Sequence, residues 1–400
     1  MLATAAVGAL ACAVLAGCTP APSGPPVAVL FPGDRDNAWG ASAEVLRQEL
    51  ADDGYAVEVR FAGDDIPTQL EQLRDVLEAA PVAVVIAPVD ATAIAAVLDE
   101  EAAPEVAVIA YDELIVDSQQ VDYFATFDHR AAGRLRAEAF VQALGLDAPA
   151  DAAPDTVPVE LLAGSGDDRG ARDAFAGALE TLQPYLDSGR LVVPSGRITL
   201  EQAAVLRGDP ATAAERIAEL LDEGVPLAGV LSPSDAMSAA IAELLVENGR
   251  GIVPAGDTWS ATPLPPEGEP IVPPATPPPP DATIPPHTDA QPDAEPDAEG
   301  GAEHGDADAE AARPSVVLTG GGSSLRGARA MRDGTQTSTV YEDPRELARV
   351  VASMVREVVE GADPTVTRGA TTDNGIREVP TRLLDPQLVI SREDAAALLR

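Results

Sequence analysis

Two unbroken apolar runs, residues 82–87 and 106–111, stand out along the chain, each preceded by a segment with helical spacing. Runs of that kind mark parallel strands buried on both faces, and the roughly 12 to 18 residues between them suit crossover helices. The stretch 63–115 therefore predicts a doubly wound α/β lobe. In such a sheet ligands sit outside the carboxyl ends of the strands. Those ends carry Pro88-Val89-Asp90 and Tyr111-Asp112-Glu113, so a binding site is expected there.

The same alternation continues on both sides. Residues 27–31 read as a buried strand, 37–53 as a helix, and 55–61 as an alternating strand near the sheet edge. Beyond the central stretch, strands are expected at 123–128, 157–163, 191–193, 227–231, 314–319, 335–341 and 375–384. Helices are expected at 130–144, from about 169 to 186, at 210–222 and 344–360, and as a short terminal helix at 391–400. At 400 residues and 46% hydrophobic content the chain can fill two cores.

Two segments fall outside this pattern. Residues 1–17 are a short apolar run ending Leu15-Ala16-Gly17 before Cys18. That is a lipobox, which predicts a signal peptide, acylation of Cys18 and a tether over 18–26. Cys12 would leave with the signal, so the mature chain would hold one cysteine and no internal disulfide. Residues 258–313 turn abruptly to Pro, Asp, Glu and Ala, with twelve acids against one arginine. With almost nothing to bury, that insert is expected to be disordered. His287 and His304 lie in it, too far apart in sequence to form a preorganised metal cage.

Charge narrows the function classes. The formal net charge is −40, and all 26 basic residues are arginine. A nucleic-acid partner needs a basic face to neutralise phosphates, and this chain offers none. Without lysine there is no Walker A lysine, no Schiff base and no pyridoxal-phosphate site, and no cofactor is expected. His129, the one histidine outside the insert, has no recognisable Ser or Cys partner, and no GxSxG elbow occurs. An enzyme is not expected.

The segments DDIPTQLEQL, VIAPVDATAI, VIAYDELI and YFATFDH, followed in order by VELLAGSGDD, SGRLVV, RGDPATAAERI, VLSPSDAMS, TSTVYEDPRELARVV and NGIREVPTRLL, make a collinear series over most of residues 27–390. This series resembles the sugar receptors of bacterial ABC transporters, type I periplasmic binding proteins of the xylose-binding and multiple-sugar-binding branch. The resemblance implies two Rossmann-like lobes joined by a hinge. It assigns 27–127 and 335–362 to the first lobe, and 128–257, 314–334 and 363–400 to the second lobe and hinge return. It further implies an extracytoplasmic monomer, lipid-anchored if the lipobox is used, that binds a sugar or polyol and delivers it to an ABC permease.

The resemblance also places site residues. Trp39 falls where the family stacks an aromatic ring on the sugar; its alternative role is packing at a helix start. The family's preceding arginine is Ala38 here, and Arg35 stands close enough to take its place. Asp112 matches a carboxylate that accepts from sugar hydroxyls, against a turn-capping role. Beside it Glu113 replaces an arginine, exchanging a five-donor fork for an acceptor. Asp128 is either a helix cap or a ligand contact, and His129 replaces an asparagine. After Asp167 and Asp168, which suit a helix start, two family asparagines become Arg169 and Gly170. Asp235 matches a ligand-binding aspartate and equally sits where a helix cap would. The family's Gly-Gln-Asp becomes Gly320-Gly321-Gly322. These replacements support a second function, a sensory or interaction lipoprotein with a degenerate sugar site. With Trp39, Asp112 and Asp235 expected to converge, the altered positions suit a ligand with a charged or amino group.

Overall fold

The computed structural model describes residues 24–35, 38–148, 154, 156–259 and 314–400. The expected signal peptide, Cys18 and nearly all of the acidic insert, with His287 and His304, lie outside the described residues.

The first lobe opens with β1 (Pro26–Phe31), α1 (Ala38–Asp52), β2 (Ala56–Phe61), α2 (Ile66–Glu78), β3 (Ala83–Ile86), α3 (Ala91–Glu101), β4 (Ala107–Tyr111) and β5 (Tyr123–Phe127). Every residue of β3 and β4 is buried, as a strand covered on both faces requires. Local chemistry starts the helices. The Asp65 and Asp90 carboxylates accept from the backbone N–H groups of Thr68 and Ala93, satisfying donors that the first helical turn leaves open.

The second lobe runs through α4 (His129–Ala143), β6 (Val157–Leu161), α5 (Arg169–Asp187), β7 (Leu191–Val192), α6 (Leu200–Ala203), α7 (Pro210–Asp222), β8 (Gly229–Leu231), α8 (Asp235–Glu247), β9 (Gly251–Ile252), β10 (Ser315–Gly322), α9 (Arg326–Arg332) and β11 (Ser338–Tyr341). The chain then returns to the first lobe with α10 (Pro344–Val359), β12 (Thr371–Asp373) and β13 (Glu378–Leu384), and ends in the second with β14 (Gln387–Val389) and α11 (Arg392–Leu398). The sheets have the orders β12-β13-β5-β4-β3-β1-β2 and β14-β11-β10-β8-β6-β7, with β9 on β10. All pairings are parallel except β12 with β13 and β11 with β14. Each sheet is packed on both faces, giving two apolar layers per lobe.

Three boundaries differ from the sequence expectation. Residues 338–341 belong to the second lobe, because β11 pairs with β10 from Thr319↔Ser338 to Gly322↔Tyr341. Residues 371–384 belong to the first, because β13 pairs with β5 from Thr381↔Phe124 to Leu384↔Phe127. Thr258 and Trp259 belong to the fold and not to the insert: the Trp259 indole N–H donates to the Ser315 carbonyl at 3.0 Å, and its backbone N–H donates to Ala143 at 2.6 Å.

The chain therefore passes between lobes from β5 to α4, from β11 to α10 and from β13 to β14. Two of these crossings are tied together where the Asp128 N–H donates to the Leu384 carbonyl at 2.8 Å. Helices α4 and α5 cross with their backbones almost touching. A Cβ added at Gly133 would lie 1.8 Å from the Ala174 carbonyl oxygen, and one at Gly177 would lie 2.0 Å from that of Arg130. That crossing fixes the amino end of α5 against the crossover segment, at the mouth of the cleft.

Candidate functional site

The crossings frame a cavity of about 310 Å³ outside the carboxyl ends of β4 and β5. The first lobe lines it with Asp112, Glu113, Leu114 and Thr126, and the second with His129, Arg130, Arg169, Gly170 and Asp173. A smaller cavity of about 50 Å³ continues beneath, between Trp39, Ser42, Tyr111, Ser323 and Leu347. Asp112 and Phe127 line both.

Asp112 ends β4 in the left-handed region at φ 64°, an uncommon conformation that aspartate tolerates better than most residues. Its N–H donates to the Ala125 carbonyl at 2.8 Å, continuing the ladder to β5 while the side chain turns toward the cavity. Trp39 stacks on Phe31, with centroids 5.3 Å apart and planes 30° from parallel, and meets the edge of Tyr111 at 6.3 Å. The Tyr111 hydroxyl in turn donates to Ser42 Oγ at 2.9 Å, and Ser42 Oγ donates to the Pro344 carbonyl at 3.1 Å. The floor of the smaller cavity is therefore braced against the start of α10.

Titratable groups crowd the cavity wall. Burial pushes the Asp112 carboxyl up to about 6, helped by the Glu342 and Asp168 charges and opposed by His129 and the Thr126 hydroxyl. Burial also raises Glu113, together with the neighbouring Asp168 and Asp112 charges, to about 8. Both residues are half-buried and line the larger cavity. Burial alone would lower His129, but its hydrogen bond to Glu342 and the charges of Glu342, Asp112 and Asp168 outweigh that and raise it to about 9. The ring is thus an imidazolium at neutral pH with two donors. Nδ1 faces Glu342 Oε1 at 3.1 Å and Nε2 faces Thr126 Oγ1 at 3.1 Å. The Thr126 hydroxyl is left to donate onward to Asp112 Oδ1 at 3.4 Å. His129 and Glu342 stand on two different crossings, so their ion pair clasps the hinge at the base of the cleft.

A profile of the periplasmic binding protein domain matches residues 27–261. The chain belongs to this family. It is 30% identical over 366 residues to the multiple sugar-binding periplasmic receptor ChvE of Rhizobium radiobacter, covering 91% of this chain and 86% of the relative. It is 31% identical over 388 residues to the multiple sugar-binding periplasmic protein SbpA of Azospirillum brasilense, covering 96% and 91%. Among solved structures, an ABC transporter solute-binding protein from Clostridium phytofermentans with bound β-D-glucose superposes with a TM-score of 0.70 at 24% identity, covering 94% of this chain and 96% of that one. The two-lobed α/β architecture is the type I fold of such periplasmic binding proteins.

Within this periplasmic binding protein the residues singled out from sequence separate into groups. Trp39 and Asp112 meet at the smaller cavity, while Asp112, Glu113, Asp128 and Arg169 line the larger one. Asp128 also caps α4, accepting from Ala131 N–H at 2.8 Å. Arg35 is placed elsewhere: its guanidinium lies 5.4 Å from the Phe61 ring centroid, and it lines neither cavity. Asp235 does not join Trp39 and Asp112. It is buried within the second lobe, where it accepts from Gly327 N–H at 3.0 Å, Gln336 Nε2 at 2.8 Å and the Thr339 hydroxyl at 2.8 Å. Ser234, not Asp235, supplies the cap of α8.

Of the glycines at family contact positions, Gly170 and Gly321 are crowded, while a Cβ at Gly322 would meet nothing within 4 Å. A Cβ at Gly170 would sit 2.9 Å from His129 Cδ2. A Cβ at Gly320 would meet Asp235 Oδ1 and Gln336 Nε2 at 2.3 Å, and one at Gly321 would meet Arg136 Nη2 at 2.4 Å. At distances below about 3 Å the neighbour must move to admit a side chain, so His129 and Arg136 take up space at Gly170 and Gly321. Arg136, buried on α4 with its Nε donating to the Gly320 carbonyl at 3.2 Å, was not legible as a site neighbour from sequence, nor was Glu342. The one sequence signal for Arg136 is a charged residue on the apolar face of the helix.

Proposed function

We propose that this protein is an extracytoplasmic solute-binding protein of an ABC importer, closing its lobes on a sugar or sugar-like small polar ligand. The observation that carries this reading is the cavity of about 310 Å³ held between lobes that three crossings join. Such a hinge lets the walls approach each other around a ligand. The wall chemistry suits a polyol, since Asp112 offers a carboxylate for hydroxyl donors beside the aromatic group of Trp39. Kinship with two multiple sugar-binding periplasmic proteins supports the same reading. Binding, not catalysis, is its activity, and an ABC permease is the partner.

A thermal-shift screen against pentoses, hexoses, polyols and their charged derivatives tests this directly, because a ligand that binds only the folded state raises its melting temperature. A hit should lose about tenfold or more in affinity in Asp112→Ala, the effect of removing one charged acceptor worth about 1.5 to 3 kcal/mol. Unaltered affinity would remove Asp112 from the site.

Anchoring is proposed through Cys18, from its position after Leu15-Ala16-Gly17. Among the described residues no helix is long and apolar enough to cross a membrane. Cys18→Ala should move the protein from the membrane fraction to the soluble one. Unchanged fractionation would remove the lipid anchor from the proposal.

One observation favours a second reading, a sensory or interaction lipoprotein on this fold. Arg136 and His129 crowd the positions of Gly321 and Gly170, where the family resemblance leads to ligand-contacting side chains, and at Gly322 that side chain is absent with open space left around it. On that reading the screen yields no hit.

A further inference from the structure

The charges around the larger cavity do not balance, and the imbalance bears on the chemistry of the ligand; this step rests on the solute-receptor reading above. Each cation near the wall already has a partner. Arg169 faces Asp173 at 3.8 Å, and Arg130 is paired with Glu180. Arg172 donates to the carbonyls of Gly166 and Asp167 at 3.2 and 2.8 Å. His129 is engaged by Glu342 and Thr126.

The two first-lobe carboxyl groups are not matched in this way. Asp112 receives one long hydrogen bond, 3.4 Å, from the neutral Thr126 hydroxyl. Among the described residues no hydrogen-bond donor reaches the Glu113 carboxyl, although it lines the cavity. The two are adjacent in sequence, and Asp168 of the opposite lobe adds its repulsion to both. Water satisfies them while the cleft is open. Closure around a ligand displaces that water; the Glu113 carboxyl, pushed up to about 8, then stays protonated unless a counter-charge enters, and the His129 imidazolium, which favours the charged form of both groups, is already engaged by Glu342. Hydroxyl groups would supply donors but no charge. At position 113 the family resemblance leads to an arginine, so the glutamate here exchanges donors for an acceptor and calls for a donating group on the ligand.

We propose that the natural ligand carries a primary ammonium group, as an amino sugar or amino polyol does, and that this group binds against the Glu113 and Asp112 carboxylates. Calorimetric titration of the mature protein with D-glucosamine and D-galactosamine, beside D-glucose, D-galactose and N-acetyl-D-glucosamine, tests this. The amines should bind at least about tenfold more tightly than the parent sugars, the difference between a charge-assisted and a neutral hydrogen bond. Glu113→Gln should bring that ratio close to unity, and Asp112→Asn should reduce it.

Parent sugars binding as tightly as the amines, or a ratio that survives Glu113→Gln, overturns the inference while leaving the receptor reading intact. If every amine, sugar and polyol fails to bind, the receptor reading falls and the inference falls with it.

Discussion

Asp235→Ala is expected to destabilise the protein by about 3 to 5 kcal/mol, the range for removing one partner from a buried charged network. The carboxylate is buried and gathers Gly327, Gln336 and Thr339, which come from α9, the segment before β11, and β11 itself. Arg136 lies close enough for its charge to favour the ionised form, against the burial that raises the carboxyl's pKa. Alanine would strand these donors in a space that water cannot readily enter. Asp235→Asn keeps one acceptor but points an amide N–H₂ at a donor, so an intermediate loss is expected. Urea unfolding with an unchanged slope and a lowered midpoint is the predicted signature. A near-normal midpoint combined with weakened ligand affinity would instead make Asp235 a ligand contact.

Glu113→Gln is expected to act in the opposite direction, stabilising the ligand-free protein increasingly as pH rises. Its carboxyl is pushed up to about 8 in the fold from an ordinary value of 4.5. The folded state therefore holds this proton more tightly than the unfolded chain. The stability contributed by the neutral carboxyl is complete below about 4.5 and is lost as pH climbs to about 8. Glutamine has no proton to lose. With one pKa unit worth about 1.4 kcal/mol, and allowance for the open cleft and the repulsion shared with Asp112 and Asp168, the gain should reach about 2 kcal/mol at pH 8.5 and approach zero near pH 4. Paired urea titrations of the two proteins at both pH values measure it. A difference that does not change with pH would mean that the carboxyl is solvated like a surface group. Together with the expected loss of amine selectivity, this gain would mark Glu113 as a residue held at a cost to stability for the sake of binding.

Much of the fold was legible because its signals are local. The apolar runs that became β3 and β4 record burial on both faces within the strand itself. The caps at Asp65, Asp90, Asp209 and Asp343 act on backbone groups two or three residues along in the helices they start. The helix at Pro210–Asp222 matches its expected bounds, because an Asp-Pro pair fixes its start and an amphipathic spacing carries it to its end. At the cleft, the position of Asp112 and Glu113 followed from the rule that ligands lie beyond the carboxyl ends of parallel strands.

What the sequence by itself determined is the succession of elements, the α/β class, the excess of negative charge and the neighbourhood of the β4 carboxyl end. Tertiary structure alone decided which sheet receives β11 and β13, since a short strand carries no record of its partner. It decided too that Asp235 turns inward to three donors, the most distant 104 residues away, and that His129 meets Glu342 across 213 residues. The glycines at 170 and 321 read in sequence as lost contacts, and each lies against a neighbour that takes up the space of a side chain, whereas Gly322, read the same way, has open space around it. Periodicity and capping act over a few residues and are written in order along the chain. Charge pairing, desolvation and the filling of volume depend on groups that only folding brings together.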